Sequence, residues 1–256
     1  MKVTETNRLK RKAAAGELGL ISGNYETADL IDFVGSLEVF DGVWIDMEHG
    51  PAAVQSLADM SRAADLWGMT SIVRVRGIDP AFIALTLSEG VNGVIVPHVD
   101  TREQAELVVE AAKFAPIGRR GASAGRRSYG RSTAEHLKNA NDETFVAVMI
   151  EDIVGVENLP EILKVPHIDM FFVAHYDLAQ SLGLQLDSEN PTLVQTFDRA
   201  IEMIVKAGRT AGAVVSEKDL EKYLRMGVRC VKVPGWQSYI AAGARSFVKR
   251  VEAVKT

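Results

Sequence analysis

Eight short apolar runs, rich in β-branched residues, lie at 18–22, 43–47, 71–75, 93–97, 145–150, 170–174, 210–215 and 229–233, and longer stretches separate them. Several of these runs are apolar at consecutive rather than alternate positions. That pattern predicts strands buried on both faces, as in a parallel sheet. Parallel neighbours need a crossover between them, usually a helix. Helical periodicity is present at 51–67, 79–88, 101–114, 192–207, 217–226 and 239–253. Asp79-Pro80 supplies a cap and a first-turn proline, and Thr101-Arg-Glu-Gln104 fits a capping box. Repeated strand-then-helix units over 256 residues predict a (β/α)8 barrel, an α/β fold forming one domain over residues 1–256. An open doubly wound sheet is the alternative. It favours a glycine-rich turn after the first strand, and Ser22-Gly-Asn-Tyr-Glu-Thr27 fits that poorly.

The formal net charge of −5 gives no nucleic-acid footprint. The amino terminus has no apolar signal core and no run approaches a membrane span, so a cytoplasmic protein is expected. Cys230 is the only cysteine; inside an apolar run it reads as a buried structural thiol. The basic cluster Arg8–Lys12 reads as a helix face. A long glycine- and arginine-rich departure, 115–144, carries Arg119, Arg120, Arg126, Arg127 and Arg131, and is expected over the barrel mouth.

The chemistry concentrates where strands end. Glu151 follows the fifth run, and Asp177 lies three residues past the sixth. Adjacent parallel strands are about 5 Å apart, so both carboxylates can reach one cation. Two protein oxygens leave positions for water and substrate, which suits Mg²⁺ or Mn²⁺; Co²⁺ and Zn²⁺ are admitted too. The alternative is that each carboxylate caps the following helix. His49, just past the second run, is placed to act as a general base. Asp46 and Glu48 flank it and share a side, opposite Met47. Arg74 and Arg76 end the third run; Arg74, deeper in it, is the preferred contact for a substrate carboxylate, with an internal salt bridge as the alternative. His98 follows the fourth run and is expected to pack or to support the site. His175 stands near Asp177, whereas His136 and His167 suggest no chemistry. Trp44, Trp67 and Trp236 read as core or interface.

In order, Asp46-Met-Glu-His-Gly-Pro51, Arg74, Glu89-Gly-Val-Asn-Gly-Val-Ile-Val-Pro97, Ala115-Pro-Ile-Gly-Arg-Arg-Gly121, Ile150-Glu151 and Asp177-Leu-Ala-Gln-Ser-Leu-Gly183 carry a resemblance covering about residues 18–236. Together they resemble the class II, metal-dependent pyruvate aldolases of the hydroxy-oxo-heptanedioate aldolase type, with the dehydro-deoxyglucarate and keto-deoxy-rhamnonate aldolases as relatives. The resemblance implies a barrel whose last helix packs on a partner subunit, in a homohexamer built as a trimer of dimers. It implies a divalent cation on Glu151 and Asp177, a base at His49, and pyruvate bound by Arg74 with Ala174 and His175 close by. The implied reaction cleaves a 4-hydroxy-2-oxo acid to pyruvate and an aldehyde through an enolate, and also runs as aldol addition. No Schiff-base lysine is required; Lys232 is the one lysine at the end of a central strand.

The chain departs from that pattern at four places. Ser88 stands where an acidic partner of the histidine is usual, with Glu89 next to it. Met149 replaces a glutamine, Ala174-His175 replaces Gly-Pro, and the loop reads Gly121-Ala-Ser123. These changes point to an altered substrate or slower cleavage. A citryl- or malyl-coenzyme A lyase is one alternative, using the loop arginines for the coenzyme. A barrel that binds oxo acids without turnover is another.

Overall fold

The eight expected strands are all present in the computed structural model, which describes residues 7–122, 125–185 and 189–255. They are β1 (Gly19–Gly23), β2 (Gly42–Asp46), β3 (Thr70–Arg74), β4 (Gly93–Val96), β5 (Phe145–Ile150), β6 (Met170–Val173), β7 (Ala211–Val214) and β8 (Val228–Gly235). Each pairs in parallel with the next, and β8 closes on β1. The registers Asp46↔Arg74 and Ile150↔Val173 set the β2–β3 and β5–β6 ends side by side.

The helices are α1 (Arg8–Ala15), α2 (Ala28–Gly35), α3 (Val54–Leu66), α4 (Pro80–Ser88), α5 (Arg102–Ala112), α6 (Thr133–Glu143), α7 (Ile153–Ile162), α8 (His175–Ser181), α9 (Pro191–Lys206), α10 (Leu220–Met226) and α11 (Trp236–Lys255). Asp79 caps α4 by accepting from the Ala81 and Phe82 N–H groups, and the Thr101–Gln104 capping box of α5 is formed. Four helices outside the expected set, α2, α6, α7 and α8, also form. Gly155 and Pro160 obscure α7 in the sequence, but Val156, Leu159 and Ile162 are buried, and their packing outweighs local propensity.

Two apolar layers follow from strand alternation. Ile21, Trp44, Ile72, Met149, Phe172 and Cys230 belong to the cluster filling the barrel interior. The opposite set, such as Val43, Ile45, Val73 and Val148, packs under the helices. Burial pushes the Cys230 thiol up to about 12, so it is inert.

Helix α1 closes the N-terminal end of the barrel. Leu9 is fully buried, and its N–H donates to Thr70 Oγ1 at 3.1 Å. A Cβ on Gly42 would lie 2.3 Å from Leu9 Cδ1, so only glycine admits the plug there. Leu9→Ala is expected to cost about 3 kcal/mol, as a shifted urea midpoint at constant m-value.

The described part of the 115–144 segment that carries Arg126 and Arg127 lies at this same end, not over the mouth as the sequence suggested. Arg126 and Arg127 both bond Asp65, at 2.7 and 2.8 Å, and both donate to the Gly90 carbonyl. Asp65 is near the end of α3, and Gly90 follows α4. The reason is topological. The segment joins the end of one helix to the start of the next strand, and such joints fall at the N-terminal face. Ser123 lies outside the described residues. No helix among the described residues is long and apolar enough to cross a membrane.

Candidate active site

The C-terminal ends of the strands surround a cavity of about 600 Å³, lined in part by Trp44, Asp46, His49, Arg74, Met149 and Asp177. Its best-defined element is an ion cluster at the ends of β2 and β3. Arg74 Nε and Nη2 donate to Asp46 Oδ1 and Oδ2, at 2.9 and 2.5 Å, a bidentate pair. Arg74 Nη1 lies 2.8 Å from Glu48 Oε2, an ion-pair approach without hydrogen-bond alignment. Burial opposes the charge on Asp46, but the Arg74 bonds and the N–H groups of His49 and Glu48 outweigh it and hold its pKa below the usual value. Those two N–H bonds also fix the turn that delivers His49. The His49 side chain is 66% exposed, with Nε2 3.8 Å from Glu48 Oε2. Arg76 diverges from Arg74: it is exposed, with its guanidinium over the Phe82 ring.

Glu151, at the end of β5, is 1% exposed. Its Oε1 accepts the His98 backbone N–H at 2.9 Å, and its Oε2 has no hydrogen-bond partner among the described residues. Burial pushes its pKa up to about 7; Asp177 and Glu48 add to this, while the His98 N–H and charge oppose it. A carboxyl that is buried, lacks a partner on one oxygen and is crowded by two other carboxylates is a group that a divalent cation would satisfy. The residues therefore fit a hard cation held by Glu151 and Asp177, with Glu48 nearby. Asp177 sits in the first turn of α8 and makes no side-chain capping bond there.

His98 is the supporting residue with the firmest contacts. Its φ of 54° is left-handed, uncommon outside glycine. Its Nδ1 is 2.7 Å from Asp152 Oδ2, and its Nε2 is 3.7 Å from Glu48 Oε1. Asp152, which follows Glu151, was not singled out in the sequence.

The remaining expected residues divide. Ala174 and Met149 line the cavity, and Ala174 is the residue from which α8 starts. His175 also lines it, but its ring packs on Tyr176 and Phe197 with centroids at 4.1 and 6.2 Å. Burial pushes the His175 pKa down, against the pull of Asp177 and Asp219. Ser88 and Glu89 stand at the C-terminal end of α4, toward the opposite face of the barrel. The Ser88 hydroxyl is spent on the Ala84 carbonyl at 2.8 Å. Within one chain neither residue joins His49. Among the cavity residues not singled out as site residues are Phe172, and Lys232 on β8.

A family model described as HpcH/HpaI aldolase/citrate lyase matches residues 26–239. A hydroxypyruvate/pyruvate aldolase of Deinococcus radiodurans is 34% identical over 211 residues, 81% of this chain and 76% of that protein. A 2-keto-3-deoxy-L-rhamnonate aldolase of Klebsiella pneumoniae is 31% identical over 231 residues, 89% of this chain and 86% of that protein. The crystal structure of an HpcH/HpaI aldolase/citrate lyase family protein from Burkholderia cenocepacia superposes with a TM-score of 0.90 at 25% identity, covering 96% of this chain and 100% of that one.

Proposed function

The chain belongs to the HpcH/HpaI aldolase/citrate lyase family and is a carbon–carbon lyase, and we propose that it cleaves a 4-hydroxy-2-oxo acid into pyruvate and an aldehyde and runs the reverse aldol addition. The observation that carries this reading is the buried Glu151 carboxyl, with one oxygen unmet, beside Asp177 and the Asp46–Arg74–Glu48 cluster. Glu151 and Asp177 hold a divalent cation, Mg²⁺ or Mn²⁺ by their oxygen chemistry, with Co²⁺ or Zn²⁺ as substitutes. When bound, that cation supplies Lewis-acid polarisation of the keto oxygen and countercharge for the enolate.

The chain's own residues do the rest. Arg74 is locked in place by Asp46 and Glu48, yet its Nη atoms keep further N–H donors for the oxo acid. His49 takes the proton of the 4-hydroxyl as the C3–C4 bond breaks and the aldehyde leaves. The electron pair stays on the pyruvate enolate, and a proton delivered to C3 completes pyruvate. Trp44, Met149 and Phe172 give this cavity an apolar wall that limits water. His175 adjoins the substrate through its place on the cavity wall.

The assay is pyruvate release from 4-hydroxy-2-oxo acids, coupled to lactate dehydrogenase. Chelation is expected to abolish release, and Mn²⁺ or Mg²⁺ to restore it. A folded protein that releases no pyruvate with any metal would sink the reading. The coenzyme A lyase alternative loses ground within one chain, because Arg126 and Arg127 are bonded to Asp65 and Gly90 at the far end. The binding-only alternative keeps only Met149, since Ser88 lies far from His49.

We also infer a cytoplasmic homo-oligomer, a hexamer arranged as a trimer of dimers. Support comes from α11, which leaves Ile240, Phe247 and Val248 exposed on a helix with little packing of its own. Light scattering that gives a monomer at micromolar concentration would overturn it.

A further inference from the structure

Lys232 stands two residues past Cys230 on β8, so strand alternation sends both side chains into the barrel interior. It is 9% exposed, lines the cavity, and its Nζ lies 5.3 Å from the centroid of the Trp44 ring. β1 makes room for it at Gly23, where a Cβ would come within 2.9 Å of Lys232 Cε and 3.1 Å of Nζ. Among the described residues Lys232 makes no ion pair and no hydrogen bond. Lys113 is the contrast: it is as deeply buried, but its Nζ donates to the Asn141 and Thr144 carbonyls at 2.7 and 2.6 Å. Beside Lys232 stands a second cation, Arg74, whose Cζ lies 5.9 Å from the centroid of the same Trp44 ring. Asp46 and Glu48 hold Arg74 and leave Lys232 unpaired.

A lysine stripped of water, set near another cation and given no carboxylate, stands ready as a neutral amine. Burial pushes the Lys232 ammonium down to about 8; Arg74 adds to this and Asp46 opposes it. Such an amine is a nucleophile toward carbonyl carbon. The cavity also holds the handle that would deliver a carbonyl. Arg74 keeps N–H donors for a carboxylate, and in a 2-oxo acid the keto carbon is bonded directly to that carboxylate. We propose that Lys232 captures 2-oxo acids as a reversible imine, a covalent binding mode separate from the cleavage route. The amine attacks the 2-keto carbon and a C–N bond forms. The keto oxygen then leaves as water with the two amine hydrogens, which makes the C=N bond. Nothing is oxidised or reduced, and hydrolysis restores the lysine and the acid. The proposal takes from the aldolase reading only the Arg74 carboxylate contact, and its test needs no turnover.

The test is reductive trapping. The full-length protein in EDTA is incubated with pyruvate and sodium cyanoborohydride at about pH 8, then read by intact and peptide mass spectrometry. The reductant delivers hydride to the C=N bond and makes the adduct permanent. One carboxyethyl adduct per chain is expected, on Lys232. Lys232→Arg keeps the charge and Lys232→Met keeps the bulk, and both should lower the adduct at least about tenfold, because neither side chain offers an amine. Acetone, which lacks the carboxylate, should label the wild type about tenfold less than pyruvate. Unchanged circular dichroism in either variant separates a lost nucleophile from a damaged barrel. No adduct in the wild type, adducts spread over surface lysines, an adduct undiminished in a folded Lys232 variant, or acetone labelling as strong as that by pyruvate would overturn the proposal. An adduct on Lys232 in a protein that releases no pyruvate with any metal would uphold it while the aldolase reading failed. Metal-restored pyruvate release without an adduct would do the reverse.

Discussion

Glu151→Ala is expected to abolish stoichiometric Mn²⁺ binding, and with it metal-restored pyruvate release, while the folded barrel persists. The asymmetry follows from burial. Glu151 contributes a carboxyl that the metal-free protein satisfies on one oxygen only, so its removal deletes a poorly solvated group rather than a packed one. The pH dependence has a definite sign. The folded-state pKa is raised to about 7, above the ordinary carboxylate range. A group raised in this way favours the fold below its unfolded pKa, and that contribution is lost as pH rises through the folded value. Metal-free protein should therefore lose stability between about pH 5 and about pH 7, and Glu151→Ala should flatten that slope. Metal binding runs the other way because the ligand must be deprotonated. Below about pH 7 the apparent Mn²⁺ affinity should weaken by about tenfold per pH unit. Titration calorimetry across that range checks both statements, and stoichiometric Mn²⁺ retained by Glu151→Ala would remove Glu151 from the ligand set.

Why the barrel was legible and parts of the site were not comes down to what linear order encodes. The apolar runs encode strand burial directly, and the positions just past them encode the mouth. Asp46, Arg74 and Glu151 were readable for that reason. Residues brought in from other directions were not. His175 does line the cavity with Asp177, as its place near Asp177 suggested, but the packing of its ring on Tyr176 and Phe197 was not readable. Ser88 follows the resemblance to a position that the strand–helix alternation sends to the far end of the chain's own barrel. The arginine-rich segment was placed at the mouth by its composition, when its connectivity, from helix to strand, already fixed the opposite end. Lys232 drew notice only as a strand-end lysine without a role. Among the described residues no carboxylate forms an ion pair with it, a property of the closed sheet, since β8 meets β1 only after the whole chain has wound round.

His49→Ala is expected to lower the rate of aldol cleavage by roughly 10² to 10⁴, the usual size of a general-base effect, with little change in Mn²⁺ or pyruvate affinity. The geometry explains the separation. The His49 backbone is pinned by its N–H on Asp46, which is independent of the side chain, whereas the ring stands free at the cavity mouth. Removing it leaves the Asp46–Arg74–Glu48 cluster and Glu151 intact. His98 is the competing histidine, nearer to Glu151 but committed through Nδ1 to Asp152 at 2.7 Å. The bond it gives Glu151 comes from its main chain and survives substitution, so His98→Ala should cost less in rate than His49→Ala and appear partly as altered metal affinity. The pair of variants decides the assignment. If His98→Ala slows cleavage more than His49→Ala while both still bind Mn²⁺, the proton passes through His98, and His49 only guards the entrance.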